Sequence, residues 1–356
     1  MTTTPQSRRP ASPRGKARAR TLLAGIDVGG SKIAVVVAEE DLVPVGRHVI
    51  ETGVGDAAYA VNRIAEALEA TLEAAGRTSD ELLAIGVGVP GRVDPTAGTV
   101  TLAVNLGWHD LPLGPRLEER FGVPVGVEND VRAAAAGLHA RRVTGDAEDL
   151  AYLSIGTGIS AGVILDGALH RGPRGLAGEI GHVVLEPGGP ICMCGLRGCF
   201  EALASGRAVG AIAEQRLDEG APSSLQAHRP VTAVDVYREA AAGDPLALEI
   251  ATTAGRYVAR AVHELVMAYD VRRVVLGGGV TTAGRVFVEP VERGLEDLRR
   301  ASELAREALP DDVVHLLPPD ADAGGWGGVI LARSASRRAP VRAAAGAGDA
   351  AEVPSS

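Results

Sequence analysis

All three cysteines of the chain fall in one run, Ile191-Cys192-Met193-Cys194-Gly195-Leu196-Arg197-Gly198-Cys199-Phe200-Glu201, and His182 closes Gly178-Glu179-Ile180-Gly181-His182 just upstream. An odd number of thiols cannot all pair, and a Cys-x-Cys spacing strains a disulfide. Three thiolates and one imidazole instead satisfy tetrahedral zinc. The alternative is a set of free thiols in a glycine-rich loop. A Cys₃His set leaves no coordination position for water, so the expected metal is structural rather than catalytic. Glu179 and Glu201 bracket the ligands, so one ion would draw two carboxylates and an imidazole into a small volume. Such a volume suits a binding pocket.

The remaining length must fold around that loop. At 356 residues the chain exceeds one comfortable core, which predicts two lobes. Hydrophobic residues make up 46% of it and aromatics only 3%, so small and β-branched side chains packed in α/β layers are expected. Few aromatics and a net charge of -9 argue against a nucleic-acid partner. No apolar run reaches the roughly 18 residues needed to cross a bilayer, and the N-terminus lacks a signal-peptide core. A cytoplasmic protein without a membrane partner is expected, in keeping with reduced cysteines on zinc. Residues 1–20 carry no acid and mix Thr, Ser, Pro, Arg and Gly. They predict a disordered basic tail, either simply solvated or brushing an acidic partner. Residues 335–356, rich in Ala, Pro, Gly and Ser, predict a second loose tail.

Between the tails the pattern repeats. Leu22 to Asp27 reads as a strand, Val28-Gly29-Gly30-Ser31-Lys32 as a turn and Ile33 to Ala38 as a second strand. A third strand follows at Val45 to Glu51, a helix at Ala57 to Ala75 and a buried strand at Leu82 to Val89. The order restarts about 130 residues later. Ala151 to Ile155 is a strand, Gly156-Thr157-Gly158 a turn and Ser160 to Leu165 a strand. Pro245 to Tyr269 reads as a long helix, with Leu248, Ala251, Thr252, Gly255, Val258, Ala259, Val262, Leu265 and Val266 facing inward. It leads to the strand Arg273 to Leu276 and the turn Gly277-Gly278-Gly279. Three glycine turns facing one another across a cleft would suit a nucleotide.

Asp27-Val28-Gly29-Gly30-Ser31-Lys32 supplies what a β/γ-phosphate and its Mg²⁺ require: a carboxylate at a strand end, close-approaching amides, a hydroxyl and a cation. Read alone, it also fits an ordinary hairpin with a polar tip. Glu128-Asn129-Asp130 follows the strand Val123 to Val127 and precedes an alanine-rich helix from Val131 to Ala140. Asn129 or Asp130 could be a plain helix cap. A carboxylate in this position could also take the proton of an alcohol during phosphoryl transfer.

With Pro90-Gly91-Arg92-Val93-Asp94 and Asn105-Leu106-Gly107-Trp108, these motifs complete a pattern that resembles the ROK family of bacterial sugar kinases and sugar-responsive repressors. The resemblance runs from about Leu22 to Ala332, and its most specific part is the gapless match of the Gly178–His182 and Cys192–Glu201 runs. It implies an α/β chain with a duplicated ribonuclease H-like, actin-type ATPase fold, two lobes and an interdomain cleft. The N-terminal lobe would comprise residues 21–130 and about 318–334, and the C-terminal lobe, with the zinc loop, residues 131–317. Asp130 resembles the base that deprotonates a sugar 6-hydroxyl, and Asn105, Asn129, Glu179, His182 and Glu201 resemble sugar contacts. Asp27, Gly29, Gly30, Ser31 and Lys32 match the first phosphate motif, Gly156, Thr157 and Gly158 the second, and Gly277, Gly278 and Gly279 the turn near adenosine. His182, Cys192, Cys194 and Cys199 match the ligands of structural Zn²⁺. ATP and Mg²⁺ are the implied cofactors, and a homodimer is expected.

The sequence departs from the family pattern at Ser31, in place of threonine, and at Ser160 and Ala161, in place of glycines. It departs again at Trp326, in the otherwise small run Ala323-Gly324-Gly325-Trp326-Gly327-Gly328. A repressor of this family would need a helix-turn-helix before Asp27, where only a polar tail is read, so a kinase is expected. Glucose is the first expected acceptor. The alternatives are 3-amino-3-deoxyglucose, N-acetylglucosamine and N-acetylmannosamine.

Overall fold

A computed structural model describes residues 20–318 and 321–346. The first tail expectation therefore falls almost wholly outside the described residues; Arg20, at its end, donates to the Gly122 carbonyl at 3.1 Å. The chain opens with β1 (Leu22–Val28), β2 (Lys32–Glu39), β3 (Pro44–Glu51), α1 (Ala57–Ala74) and β4 (Leu82–Val89). A three-stranded sheet of β5 (Arg92–Asp94), β6 (Thr99–Ala103) and β7 (Trp108–Leu111) follows, then α2 (Leu113–Phe121), β8 (Val125–Asn129) and α3 (Asp130–Ala140). The second half comprises β9 (Leu150–Ile155), β10 (Ile159–Leu165), β11 (Ala168–His170), α4 (Phe200–Ala204), α5 (Gly206–Asp218), α6 (Ala233–Ala241) and α7 (Pro245–Tyr269). It ends with β12 (Arg273–Gly277), α8 (Arg285–Ala301), α9 (Glu303–Ala308), β13 (Val314–Leu316) and α10 (Ala323–Gly346).

Duplication is plain in the sheets. The first is ordered β3-β2-β1-β4-β8 and the second β11-β10-β9-β12-β13. In each, three strands form an antiparallel meander and two more add in parallel to its first strand. The parallel strands are apolar almost throughout because helices cover them. Each half keeps its own core, one built around Ile26, Ile64, Leu68 and Ile85, the other around Leu153, Phe200, Val258 and Phe287. Along α7 the expected inward face holds except at Leu248, which is 41% exposed. Leu246, Ala247 and Ile250 supply the buried stripe there instead.

The two halves meet through α10 and α3, backbone against backbone. A methyl group added at Gly25 of β1 would lie 2.2 Å from the Gly325 carbonyl oxygen, and one added at Gly86 of β4 only 2.0 Å from that of Gly328. On the far side of the same helix, a methyl at Gly327 would lie 2.2 Å from the Ala133 carbonyl of α3. Helix α3 in turn lies on β10, where a methyl at Gly162 would come within 2.7 Å of the Val131 carbonyl. Trp326 is buried at this joint in a cluster with Leu23, Val36 and Ala84. The Arg141 guanidinium, just past α3, covers its ring at 4.3 Å.

One expectation is corrected here. Residues 335–346, which by composition read as part of a loose tail, continue α10. Ala335 packs against the buried cluster of Leu23, Val36, Trp326 and Val329, which carries the helix past the expected boundary, while residues 347–356 of that tail lie outside the described residues.

Candidate functional site

Asp27 stands at the end of β1, where the chain turns through Gly29 and Gly30 into β2. The turn is closed by the Gly29 amide on the Lys32 carbonyl at 2.8 Å and pinned by the Thr52 hydroxyl on the Gly29 carbonyl at 2.7 Å. Asp27 is pushed up to about 7, first by burial, then by the Asp130 and Asp322 charges, with Lys32 opposing. Its carboxyl is therefore poised to ionise when a cation arrives. Burial likewise raises Asp130, against the Val131 amide and other hydrogen bonds that favour its charged form.

Asn129 is the cap of α3, and Asp130 its first residue. The Asn129 side-chain carbonyl oxygen accepts the Val131 and Arg132 amides at 3.0 and 3.1 Å. Its amide nitrogen donates to Asp130 Oδ1 at 3.0 Å and to the Gly91 carbonyl at 3.2 Å. The cap thus holds the Asp130 carboxylate and leaves it at a helix N-terminus. Tyr152, on β9 of the second half, is pushed up to about 12 mainly by burial and feels both Asp130 and Asp27. Asp27 and Asp130 lie close together, since Asp27 pairs with Gly88 across the sheet and a methyl on Gly88 would lie 3.4 Å from the Asp130 Cα.

The other glycine turns lie on the second half. Gly156 to Gly158 join β9 to β10, and the Gly156 carbonyl accepts the Gly206 amide at the start of α5 at 2.8 Å. Gly277 ends β12. Gly278, at φ 89°, takes a conformation that favours glycine, and a methyl there would strike the Ile155 carbonyl at 2.5 Å. These two turns are therefore adjacent.

The segment Gly178 to Gly181 rests directly on β10. The Ala161 amide donates to the Gly178 carbonyl at 2.7 Å, and the Ser160 hydroxyl reaches the same oxygen at 3.4 Å. The departure at Ser160 thus adds a side-chain tie to the loop that presents Glu179 and His182, while Ala161 holds it through its backbone amide alone. Glu201 accepts the Ile159 amide at 3.0 Å and pairs with Arg207 at 3.3 Å. It leans on the second glycine turn, linking that turn to the cysteine loop. Asn105 is exposed on the Val104–Leu106 turn between β6 and β7.

His182, Cys192, Cys194 and Cys199 converge, their ligand atoms all within 4.8 Å of one another. Cys192 Sγ lies 3.7 Å from His182 Nδ1, and Cys194 Sγ 3.6 Å from Cys199 Sγ. A zinc tetrahedron with Zn–S bonds of about 2.3 Å has edges of about 3.8 Å, so the donor set fits. Burial pushes the Cys199 thiol up to about 12, a value that a bound cation would reverse.

Sequence reasoning missed a buried ionic cluster beside Asp130. Glu128 is fully buried and Arg132 is 4% exposed. Arg132 Nε donates to Glu128 Oε1 at 2.9 Å and Arg171 Nε to Glu128 Oε2 at 2.5 Å. The spacing of four between Glu128 and Arg132 was visible, but the contribution of Arg171 is long-range. Asp322, joined to Arg47 at 2.7 Å, was also missed. Among the described residues no helix is long and apolar enough to cross a membrane.

With this geometry in hand, comparison with known proteins is specific. The model of the ROK family matches residues 23–332. A glucokinase of Halalkalibacterium halodurans is 34% identical over 278 residues, covering 76% of this chain and 84% of that protein. An N-acetylmannosamine kinase of Citrobacter koseri is 33% identical over 263 residues, covering 72% of this chain and 83% of that protein. The crystal structure of a ROK family glucokinase from Streptomyces griseus in complex with glucose and AMPPNP superimposes with a TM-score of 0.72 at 31% identity, covering 88% of this chain and 99% of that one. The fold is the two-lobed, duplicated actin-type α/β fold, and the chain belongs to the ROK family.

Proposed function

We propose that the protein is an ATP-dependent sugar kinase that phosphorylates a hexose at its 6-hydroxyl, with glucose as the preferred acceptor. One observation carries the reading. Asp130 is a half-buried carboxylate at a helix N-terminus, clamped by Asn129, at the junction where the Asp27 turn and the second half meet. Its ionised form takes the proton of the sugar 6-hydroxyl. That oxygen bonds to the γ-phosphorus as the bond to the β,γ-bridging oxygen breaks, and ADP leaves.

Gly29, Gly30, Gly156 and Gly158 offer backbone close enough to receive phosphates, with Ser31, Lys32 and Thr157 beside them, and Gly277 to Gly279 adjoin the second turn on the adenosine side. Asp27 would hold Mg²⁺, which when bound offsets charge on the β- and γ-phosphoryl oxygens. His182, Cys192, Cys194 and Cys199 would hold a structural Zn²⁺, fixing Glu179, His182 and Glu201 toward the sugar, with Asn105 and Asn129 completing its contacts.

A second acceptor class has its own support. A cavity of about 460 Å³, lined by Gly91, Arg132, Gly175 and Leu176, opens beside Glu179 and has room for an N-acetyl or amino substituent. Similarity to the N-acetylmannosamine kinase points the same way. A comparison of kcat/KM for glucose, mannose, N-acetylglucosamine, N-acetylmannosamine and 3-amino-3-deoxyglucose tests the assignment. Glucose is expected to lead. A clear preference for an N-acetylated or manno-configured sugar would replace it, and turnover of none would overturn the kinase reading.

A further inference from the structure

A fully buried carboxylate directly before the Asn129-Asp130 pair needs an explanation. Burial of an ion costs several kcal/mol unless it is paired and hydrogen-bonded, and well-packed apolar residues are often as stabilising as the pair. Glu128 is paired on every side. Its Oε1 accepts Arg132 Nε at 2.9 Å and the Asn129 amide at 2.9 Å, and its Oε2 accepts Arg171 Nε at 2.5 Å. Arg132 then carries the link onward, its Nη1 donating to the Gly175 carbonyl at 2.7 Å.

Both arginines thus end on one stretch of chain, Arg171 by belonging to it and Arg132 by gripping its backbone. That stretch runs from the end of β11 into Gly178-Glu179. The 460 Å³ cavity lies between it and the segment Gly91 to Thr96, with both arginines in its lining. At one wall of this hollow the guanidinium groups join Glu128 to the 171–175 stretch, and Glu128 is their common anchor.

We propose that Glu128 is a positioning residue that works through Arg132 and Arg171 to fix residues 171–179, and with them Glu179, at a set distance from Asn129 and Asp130. It touches neither sugar nor nucleotide, yet it sets how well the two sides of the acceptor site fit one sugar. The proposal rests on the reading that Glu179 and Asp130 face the same acceptor. A network kept for register rather than for stability predicts a selective kinetic defect.

Arg171 is the tractable end, because its side chain is 32% exposed and its loss leaves the Glu128–Arg132 pair intact. The experiment compares wild type, Arg171→Gln, Arg171→Lys and Glu128→Gln for the KM of sugar and of ATP, with calorimetric sugar affinity in the absence of ATP, zinc content and melting temperature. Arg171→Gln is expected to fold with full zinc. Its sugar KM and Kd should rise by about tenfold or more while its KM for ATP stays within about twofold. Arg171→Lys, which keeps the charge, should recover part of the loss. Glu128→Gln should show the larger sugar defect if it folds, and the Arg171 pair decides the matter if it does not. Unchanged sugar affinity in folded Arg171→Gln, with an active wild type, would overturn this inference alone. Equal losses for sugar and ATP would also overturn it, as the mark of a general structural role. A wild type that neither binds nor phosphorylates any hexose would overturn both this inference and the reading beneath it.

Discussion

Replacing Asp27 by asparagine should make the protein more stable and inactive at once, with a definite pH signature. The folded protein carries Asp27 from its ordinary 3.8 to about 7, chiefly by burial. At about 1.36 kcal/mol per pH unit, ionising it in the fold costs about 4 kcal/mol more than in the unfolded chain, an upper figure before relaxation. A raised carboxyl means that the folded state binds more protons, so stability falls as pH rises from 3.8 to about 7 and then levels off. The neutral amide of the variant would carry no such penalty. Urea unfolding without nucleotide or Mg²⁺ should therefore show Asp27→Asn gaining on wild type by roughly 2–3 kcal/mol more at pH 8 than at pH 5. Wild-type kcat/KM for ATP should fall below about pH 7, as Asp27 takes up a proton and loses its hold on a cation. A stability difference that is the same at both pH values would refute the burial argument. An active variant would remove Asp27 from phosphate and metal binding.

Two further outcomes follow from the cysteine loop and from the joint between the halves. Elemental analysis should find one zinc per chain in wild type and far less in Cys199→Ser, whose sugar binding should fail well below its unfolding temperature, since the metal organises a loop and not a core. Gly327→Ala should cost about 2 kcal/mol or more in urea unfolding, because its methyl would meet the Ala133 carbonyl at 2.2 Å and two backbones would have to part. A near-neutral result would mean that the joint yields easily.

What the sequence disclosed and what it withheld divide along physical lines. Strong local periodicity located α7 to the residue and β4 likewise, and the repeated strand-turn-strand pattern announced the duplication. The Cys₃His cluster was legible because the chemistry it could serve follows from residue type and spacing, and the structure brings those four side chains together. Helix α10 was not legible. Its first two turns carry four glycines, which weaken a helix locally; packing on β1, β4 and α3 supplies the stability that propensity lacks. Leu248 was misplaced because it lies at the first turn of α7, where Leu246 and Ala247 point into the core and shift the stripe. The Glu128 cluster and Tyr152 escaped notice for a different reason. Their roles depend on partners distant in sequence, Arg171 for the first and Asp27 and Asp130 for the second.

The central claim, that Asp130 removes the proton from a sugar hydroxyl during phosphoryl transfer, is tested most directly by Asp130→Asn assayed for both binding and turnover with the best acceptor. Asparagine preserves the size of the side chain and can keep the contacts to Asn129 and the Val131 amide. Calorimetric affinity for the sugar should stay within a few-fold of wild type, while kcat falls by roughly 10² or more, the usual contribution of a general base. Near-normal turnover by a folded, sugar-binding Asp130→Asn would contradict the account.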